Sequence, residues 1–255
     1  MQFDLTRPNT GRTIDYWLGG THNFEIDRQF ADQVSRQFPI AKQMAEDNRA
    51  LVKRAVPFFY ARGIRALIDY GASLPTCENT HLVAHALDPS IKVVYSDIDS
   101  ITVAYAQDLL SGNPNAIYLQ CDAAKPREVL DSPLTRKLLG DERRIGFIFL
   151  GLAHLLTDDI LRSAWRELYD WAAPGSYMIV STPSEQWDTD PALIAIRDFY
   201  RRANIYSTFR TPAQFKEVMP PWQLTEEGIR VNAEWGLPLT ERASSVYTYS
   251  MMLFK

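Results

Sequence analysis

Cysteine, excess basic charge and long apolar runs are all scarce in this 255-residue sequence, and each shortage excludes a class of protein. The two cysteines, Cys77 and Cys121, are too few for a disulfide framework, so we expect free thiols. A net charge of −4 disfavours a general nucleic-acid binder, which is usually basic. The longest apolar run, residues 145–156, is shorter than the roughly 18 residues that cross a bilayer.

Common metal, phosphate and targeting motifs are missing as well. The four histidines form no CxxC or HExxH pattern, so we expect no metal site. No G-x-x-x-x-G-K-[ST] phosphate loop occurs. Residues 1–4 lack the basic and apolar blocks of a signal peptide. We therefore expect a cytoplasmic protein without a membrane or nucleic-acid partner.

What remains is an ordinary globular composition, with 46% hydrophobic and 23% charged residues. From residue 64 onward, short apolar segments alternate with helical ones. Five strands are predicted, over residues 64–70, 91–96, 116–120, 145–152 and 176–182. This alternation predicts a parallel, doubly wound α/β sheet. Two later segments, 222–231 and 245–253, have high strand propensity and predict a closing hairpin at the sheet edge.

The first 63 residues follow a different pattern. Apolar residues recur at spacings of three or four over residues 26–63, which predicts helix with a break at Pro39 and a kink at Pro57. Residues 8–24 show no clean helical or strand period. Two interpretations remain open for this stretch: an arm packed on the body of the protein, or a lid hinged at its Gly-Gly pair.

The stretch 66–76 predicts a ligand-binding corner of the sheet. It reads as a strand, a turn through Gly71 and a helix start, with Thr76 as the expected helix cap. Gly71 lets a ligand approach the main chain closely. A dinucleotide site would need further glycines, and Pro75 removes one N–H donor. The corner therefore suits a nucleoside without phosphates, and a nicotinamide dehydrogenase is disfavoured.

Acidic residues follow three consecutive predicted strands. Asp69 ends the first strand, Asp97 follows the second and Asp122 follows the third. An acid at the position of Asp97 can accept hydrogen bonds from both ribose hydroxyls, and Asp122 can accept from an adenine amino group. Asp99 is expected to cap the next helix. Ordinary turn chemistry remains an open interpretation for each carboxylate.

One histidine lies where ligands bind in such sheets. His154 follows the fourth strand, at the carboxyl edge. It is either a general base or substrate-orienting group, or a histidine hydrogen-bonded near a helix start. His81 and His85, four residues apart on a predicted helix, are expected to serve packing or the surface.

Together these residues resemble the class I S-adenosylmethionine-dependent methyltransferases, and more narrowly a bacterial S-adenosyl methyltransferase family. The family's N-terminal signature Y-D-Y-W-L-G-G-x-x-N-F corresponds to IDYWLGGTHNF at residues 14–24. Its D-x-G-x-G-L-P-T corresponds to residues 69–76, and its V-V-Y-x-D-x-D to residues 93–99. Its L-H-x-x-x-D is matched approximately by residues 152–158, and its P-G-S-Y-L-V-L-S by residues 174–181. The resemblance covers nearly the whole chain.

The resemblance implies a Rossmann-like class I methyltransferase fold: a seven-stranded, mostly parallel sheet with helices on both faces and an N-terminal helical extension. It implies one domain over residues 1–255. Residues 1–62 would form an arm and helical lid, residues 63–255 the core, and residues 183–222 approximately a substrate-side insertion. S-adenosylmethionine would be the cofactor and S-adenosylhomocysteine the product.

Carried over residue by residue, the resemblance also implies a binding site. The carboxylate at the second strand would hold the ribose, the glycine after the fourth strand would line the sulfonium, and an arginine of the arm would meet the cofactor carboxylate. The predicted cofactor-binding residues are Arg12, Tyr16, Asp69, Gly71, Ser73, Asp97, Ile98, Asp122, Ala123 and Gly151. His154 is the candidate catalytic residue.

This sequence departs from the family pattern at three positions. Ser73 replaces the second glycine of the glycine motif, and Thr21 and His22 replace the usual Lys and Asp. Methyl transfer to a small molecule is the first function hypothesis. A non-catalytic protein that binds the nucleoside at a degenerate site is the alternative.

The acceptor side is predicted only coarsely. An aromatic-rich region could roof an apolar substrate, or could be a plain hydrophobic cluster. Its members are Trp187, Phe199, Tyr200, Tyr206, Phe209 and Trp222.

Overall fold

The computed structural model describes residues 6–202, 206–238 and 246–255. A seven-stranded sheet runs through them in the order β3-β2-β1-β4-β5-β7-β6. The strands are β1 Ala66–Tyr70, β2 Lys92–Asp97, β3 Ala116–Gln120, β4 Ile145–Leu150, β5 Tyr177–Pro183, β6 Gln223–Val231 and β7 Thr248–Phe254. The first five strands pair in parallel, and β7 pairs antiparallel with both β5 and β6. The predicted sheet and its edge hairpin are confirmed, while Ser245 lies outside the described residues.

Helices cover both faces of this sheet. They are α1 Thr10–Trp17, α2 Glu25–Gln37, α3 Ile40–Ala61, α4 Thr80–Leu87, α5 Ser100–Leu109, α6 Arg127–Leu130, α7 Pro133–Leu139, α8 Asp158–Trp171, α9 Pro191–Arg202 and α10 Pro212–Val218. Two short 3₁₀ turns, Ala153–Leu155 and Glu185–Asp188, follow β4 and β5. Two large apolar clusters therefore form the core, one on each side of the sheet, and a smaller third cluster surrounds Trp187. All six residues of β4 are apolar because both of its faces are covered.

The first helix was not visible in the apolar pattern. The buried residues of α1 are Gly11, Arg12, Thr13 and Asp15, and three of these are polar. The Asn9 side chain caps the helix by accepting the N–H of Arg12 at 3.0 Å. An amphipathic period cannot reveal a helix whose inward face is polar.

The boundaries of α3 and α4 can be compared with the predicted helix starts. The break at Pro39 is confirmed, since α2 ends at Gln37 and α3 begins at Ile40. The prediction that Thr76 caps α4 is wrong. Asn79 is the cap, accepting the N–H of Thr80 at 2.8 Å. Ser73, Cys77 and Glu78 all have positive φ, so the chain cannot enter a helix before residue 79.

The structure also describes the cysteines, the possible metal ligands and the longest helices. Cys77 and Cys121 are both free thiols. Over the described ranges, no cluster of three or more His, Cys, Asp or Glu side chains is arranged to hold a metal ion. Among the helices described, none has both the length and the apolar character needed to cross a membrane.

Candidate active site

The carboxyl end of β1 places a buried acid beside the sheet edge. Asp69 lies under α4, where its Oδ2 accepts the Thr80 hydroxyl at 2.6 Å. Burial raises the pKa of Asp69 to about 7, against the opposing effects of the Thr80 hydrogen bond and the Arg49 charge. This carboxyl is therefore poised between its neutral and charged forms near pH 7.

The turn after β1 packs directly against the turn after β4. Gly71 has φ of +63°, and a Cβ there would lie 2.6 Å from a methyl carbon of Leu152. Gly151 has φ of +66°, and a Cβ there would lie 3.5 Å from Nδ2 of Asn48. Glycine is thus required at residue 71 by both its conformation and the close approach of Leu152.

Ser73 joins this corner to the end of β2. Its backbone N–H donates to Oδ2 of Asp97 at 3.1 Å, and its carbonyl accepts the Tyr118 hydroxyl at 2.7 Å. Its φ is +60°, a conformation that favours glycine. Its Oγ is buried without a hydrogen-bond partner and lies 3.2 Å from where a Cβ of Gly11 would stand. The Ser73 side chain therefore faces α1.

Replacing Ser73 with glycine is expected to stabilise the protein by about 1 kcal/mol. The change removes left-handed strain and an unpartnered hydroxyl, and these gains exceed the extra backbone entropy of glycine in the unfolded chain. Urea unfolding measures the effect. Ser111→Gly is the matched control, since Ser111 lacks a positive φ and its replacement is expected to destabilise slightly. A loss of stability in Ser73→Gly would contradict the assigned strain.

The ends of β2 and β3 form the next part of the edge. Asp97 is half-buried, its Oδ1 accepts the Asp99 N–H at 3.0 Å, and burial raises its pKa. Ile98 is 65% exposed. The Asp122 carboxylate accepts the Ala124 N–H at 2.9 Å, so it serves its own turn. Asp99 caps α5 as predicted. Since β2 and β3 pair, Ile98 and the turn holding Asp122 and Ala123 lie at one edge.

The N-terminal arm, residues 8–24, forms hydrogen bonds with the loop after β1 and with the loop after β2. The Asn9 side chain donates to the Asp99 carboxylate at the β2 end. Asp15 is buried and accepts the Thr76 hydroxyl of the β1 loop, and it also accepts the His22 N–H at 2.8 Å. Helix α1 is thereby held across the two loops predicted to carry the cofactor.

The two predicted arm residues are placed differently. Arg12 is buried, with Nε donating to Asp27 at 2.7 Å and Nη1 buried without a partner among the described residues. The Tyr16 hydroxyl donates to Asp32 of α2 at 3.2 Å, near the surface. The structure thus does not bring the Tyr16 hydroxyl to the strand ends.

Helix α3 contributes two polar residues that the sequence reasoning missed. Arg49 donates through Nη1 to the Asn79 side chain at 2.6 Å, its charge acts on Asp69, and its Nε is buried without a partner. Burial lowers the pKa of Arg49. The Asn48 Oδ1 accepts the Ser181 hydroxyl at 2.6 Å. The available signal was their spacing, since Asn48 lies one helical turn before buried Val52.

His154 lies in the 3₁₀ turn after β4. Its side chain is half-buried, and its Nδ1 is buried with no hydrogen-bond partner in the described part of the chain. Burial, together with the charge of Arg210, lowers the pKa of His154 to about 4. The imidazole is therefore neutral at pH 7. His81 and His85 serve packing as expected, bonded to Tyr95 and to the Ile91 carbonyl.

The aromatic region divides into two parts. The rings of Trp187 and Phe209 stack with centroids 5.7 Å apart, at the edge of the fold. Trp222 instead lies in the main core, where its Nε1 donates to the Trp165 carbonyl at 2.8 Å. A roofing role for Trp222 is therefore wrong, because its ring fills space against Phe147. Tyr206 is exposed, and the side chains of residues 199 and 200 lie outside those described.

Comparison with known proteins assigns the chain to a family. A family model described as S-adenosyl methyltransferase matches residues 1–253. A search of curated proteins found no match.

Solved structures show the same relationship. A candidate methyltransferase from Thermobifida fusca YX is 28% identical, with 99% of this chain and 96% of that chain covered and a TM-score of 0.86. A DUF574-family protein from Streptomyces avermitilis MA-4680 is 26% identical, with both chains covered fully and a TM-score of 0.84. The mitomycin 7-O-methyltransferase MmcR is 12% identical, covers 88% of this chain and 60% of its own, and has a TM-score of 0.52, so it supports the fold alone.

The family model spans nearly the whole sequence, and both full-length structural matches share the Rossmann-like methyltransferase fold. The narrower N-terminal signature at residues 14–24 stays a prediction. The chain belongs to the S-adenosyl methyltransferase family, and its cofactor is S-adenosylmethionine.

Proposed function

We propose that this protein transfers the methyl group of S-adenosylmethionine to a small-molecule acceptor. One observation carries the proposal. Asp69 and Asp97 are two desolvated carboxylates at the ends of the paired strands β1 and β2, beneath an arm that fastens to both loops. Carboxylates at these two positions can receive the ammonium and ribose groups of the cofactor.

The chain's own polar groups fit such a ligand. Among the described residues, the buried polar atoms without a hydrogen-bond partner include four that belong to the arm, to α3 and to the loops after β1 and β4. They are Nη1 of Arg12, Nε of Arg49, Oγ of Ser73 and Nδ1 of His154. Buried polar groups are nearly always hydrogen-bonded in folded proteins. A ligand that carries an ammonium, a carboxylate and hydroxyls would satisfy groups of this kind.

Individual roles follow from position. Asp69 would accept the cofactor ammonium, and Arg49 or Arg12 would hold its carboxylate. Asp97 would accept the ribose hydroxyls. The remaining predicted residues would contribute backbone or apolar contact. They are Tyr16 from α1, Gly71 and Ser73 from the loop after β1, Gly151 from the turn after β4, and Ile98, Asp122 and Ala123 around the adenine.

Bound S-adenosylmethionine supplies a methyl group already activated by its sulfonium, so the protein's task is alignment and exclusion of water. The arm, which bonds to the loops after β1 and β2, would exclude water from the strand ends. His154, neutral at pH 7, can orient an acceptor by one hydrogen bond and is a weak base at that pH. We therefore assign His154 an orienting role.

Calorimetric titration with S-adenosylmethionine and S-adenosylhomocysteine tests the proposal. We expect micromolar binding to the wild-type protein and at least about 100-fold weaker binding to Asp97→Ala, which loses two charge-assisted hydrogen bonds. Asp159→Ala, at a side chain 96% exposed, is the control and should bind normally. Wild-type protein that binds neither ligand at millimolar concentration would overturn the proposal. Binding without transfer to any acceptor would favour the non-catalytic alternative, which the comparisons do not support.

Cofactor binding is expected to release protons through Asp69. Because the folded pKa is about 7 and the unfolded value is about 3.9, the free protein gains stability from protonated Asp69 at low pH and loses it as pH rises through 7. A bound ammonium favours the ionised carboxylate. About half a proton should therefore leave on binding at pH 7, and affinity should rise with pH between about 5.5 and 7.

Calorimetry in buffers of different ionisation enthalpy measures this release. Asp69→Asn provides the control, since an amide at residue 69 has no proton to lose. An equal proton count for the variant and the wild-type protein would place the titrating group elsewhere.

A further inference from the structure

A cleft of about 440 Å³ lies at the edge of the fold, in the size range of small-molecule sites. One wall is the corner between α2 and α3, with Phe38 and Ile40. The other is the start of α9, with Leu193 and Ile196. These residues belong to the apolar cluster around Trp187. The cleft thus offers an apolar surface for the hydrophobic part of a small molecule, outside the predicted cofactor site.

Helix α3 runs from this cleft toward Gly151, the residue predicted to line the sulfonium. Ile40, Met44 and Asn48 are spaced four residues apart, so they follow one face of the helix. Ile40 lines the cleft, and Asn48 lies about 12 Å further along the helix axis, against Gly151. Tyr247 also lines the cleft, and its carbonyl accepts the N–H of Ser184, the residue after β5, at 3.0 Å.

The amide of Asn48 is held in one orientation. The Ser181 hydroxyl donates to Oδ1 of Asn48 at 2.6 Å, and the Gly151 N–H donates to the Ser181 carbonyl at 3.0 Å and to the Ser181 Oγ at 3.1 Å. With Oδ1 used, Nδ2 is left as a donor, 3.5 Å from where a Cβ of Gly151 would stand. An oxygen atom brought to this point would meet a fixed N–H donor.

The charges around the cleft select the kind of molecule. Among the lining residues that the structure describes, Asp190 is the one that carries a charge. Its carboxylate already accepts the Ala192 N–H at 2.8 Å at the start of α9. An anionic acceptor would find no basic partner in this lining, and burial of an unpaired charge is strongly unfavourable.

We infer that the methyl acceptor is an uncharged, largely apolar molecule whose body lies in this cleft and whose hydroxyl oxygen lies at the Asn48 amide. The inference rests on the proposed function. In the transfer, the hydroxyl oxygen forms a bond to the methyl carbon, and the carbon–sulfur bond breaks with its electron pair retained on sulfur. The hydroxyl proton leaves to water.

Binding of bicyclic probes to the protein saturated with S-adenosylhomocysteine tests the inference. The probes are 1-naphthol, 1-methylnaphthalene, 1-naphthoate and 1-naphthylmethylamine, followed by ligand-observed NMR. We expect 1-naphthol to bind about fivefold more tightly than 1-methylnaphthalene, and Asn48→Ala to reduce that ratio to about one. Preferential binding of the anion or the amine would overturn the uncharged assignment.

A second pair of variants tests the location without disturbing the core. Ala192 and Ala195 are both exposed on α9, but only Ala192 lines the cleft. Ala192→Trp should abolish 1-naphthol binding, and Ala195→Trp should leave it unchanged. Both should bind S-adenosylhomocysteine as the wild-type protein does. If the wild-type protein fails to bind S-adenosylhomocysteine, the proposed function is wrong. If S-adenosylhomocysteine binds normally but Ala192→Trp leaves 1-naphthol binding unchanged, this inference alone is wrong.

Discussion

Replacing Asp27 with alanine is expected to destabilise the protein by about 3–5 kcal/mol, because the change leaves the buried Arg12 guanidinium without its counter-charge. Arg12 is 1% exposed and Asp27 is fully buried, with Nε and Oδ2 2.7 Å apart. The same carboxylate accepts the backbone N–H groups of Asn9 and Phe24, each at 2.9 Å. Asp27 therefore holds the start of α1 and the start of α2 together.

Urea unfolding measures this loss, and the same helix supplies the control. Asp32→Ala removes an exposed acid whose one described partner is the Tyr16 hydroxyl, so it should cost less than about 0.5 kcal/mol. The double variant Arg12→Met with Asp27→Leu removes both charges and should recover much of the stability. A loss below about 1 kcal/mol in Asp27→Ala would show that the pair is not buried in solution.

The same variant carries a functional expectation. Asn9, whose N–H bonds Asp27, also reaches the Asp99 carboxylate at the β2 end. Asp27→Ala should therefore weaken the attachment of the arm to the predicted cofactor loops and weaken S-adenosylhomocysteine binding. Asp32→Ala should leave that binding unchanged.

The parts of the site that the sequence predicted are those carried by strand ends. An apolar run followed by an acid identifies both a buried strand and the residue that leaves it, as at Asp69 and Asp97. The alternation of strands and helices then predicts a parallel sheet, whose strands all end at one edge, so a shared edge for these acids could be predicted. Their shared edge needed no side-chain information.

The parts that escaped prediction depend on contacts between distant segments. Thr76 has the residue type of a cap, yet its hydroxyl is used by Asp15, 61 residues earlier. Helix α1 buries polar groups that find partners only after folding, and Asn48 and Arg49 look like ordinary polar residues of a helix. Local propensity cannot distinguish a solvated polar residue from one that completes a buried network.

For Trp222 the sequence suggested a functional role, but the structure shows a core residue. Its place in an aromatic-rich stretch suggested a substrate roof, but composition does not say which face of the sheet a ring covers. The hydrogen bond from its indole to the Trp165 carbonyl fixes it beneath β4. The true edge cluster, around Trp187 and Phe209, was in the same predicted list and differs only in its tertiary surroundings.

Arg210 is the second position where a large effect is expected, and its replacement by methionine should cost about 3 kcal/mol. The side chain is 1% exposed and donates to the carbonyls of Ala153 at 2.8 Å and Leu156 at 2.6 Å, as well as to Asp158. Removing it leaves two buried carbonyls without these donors. The turn that it holds carries His154 and follows Leu152, which packs on Gly71.

A merely structural role would not move the titration of His154, but the Arg210 charge is one cause of its low pKa. In Arg210→Met the pKa should rise from about 4 while staying below the usual 6.5, since burial is the larger cause. Arg210→Lys keeps the charge, so it should lose stability yet leave the pKa low. NMR titration of the histidine ring measures this. Arg162→Met, at an exposed ion pair on α8, is the control.

These two variants separate the two ways in which Arg210 acts. The neutral imidazole contributes stability above the unfolded pKa of about 6.5, and that contribution is lost as pH falls toward 4. Raising the folded pKa in Arg210→Met should therefore flatten this part of the acid destabilisation, even though the variant is less stable at pH 7. An unchanged His154 titration in Arg210→Met would mean that burial alone keeps the ring neutral, and that Arg210 serves only to hold the turn after β4.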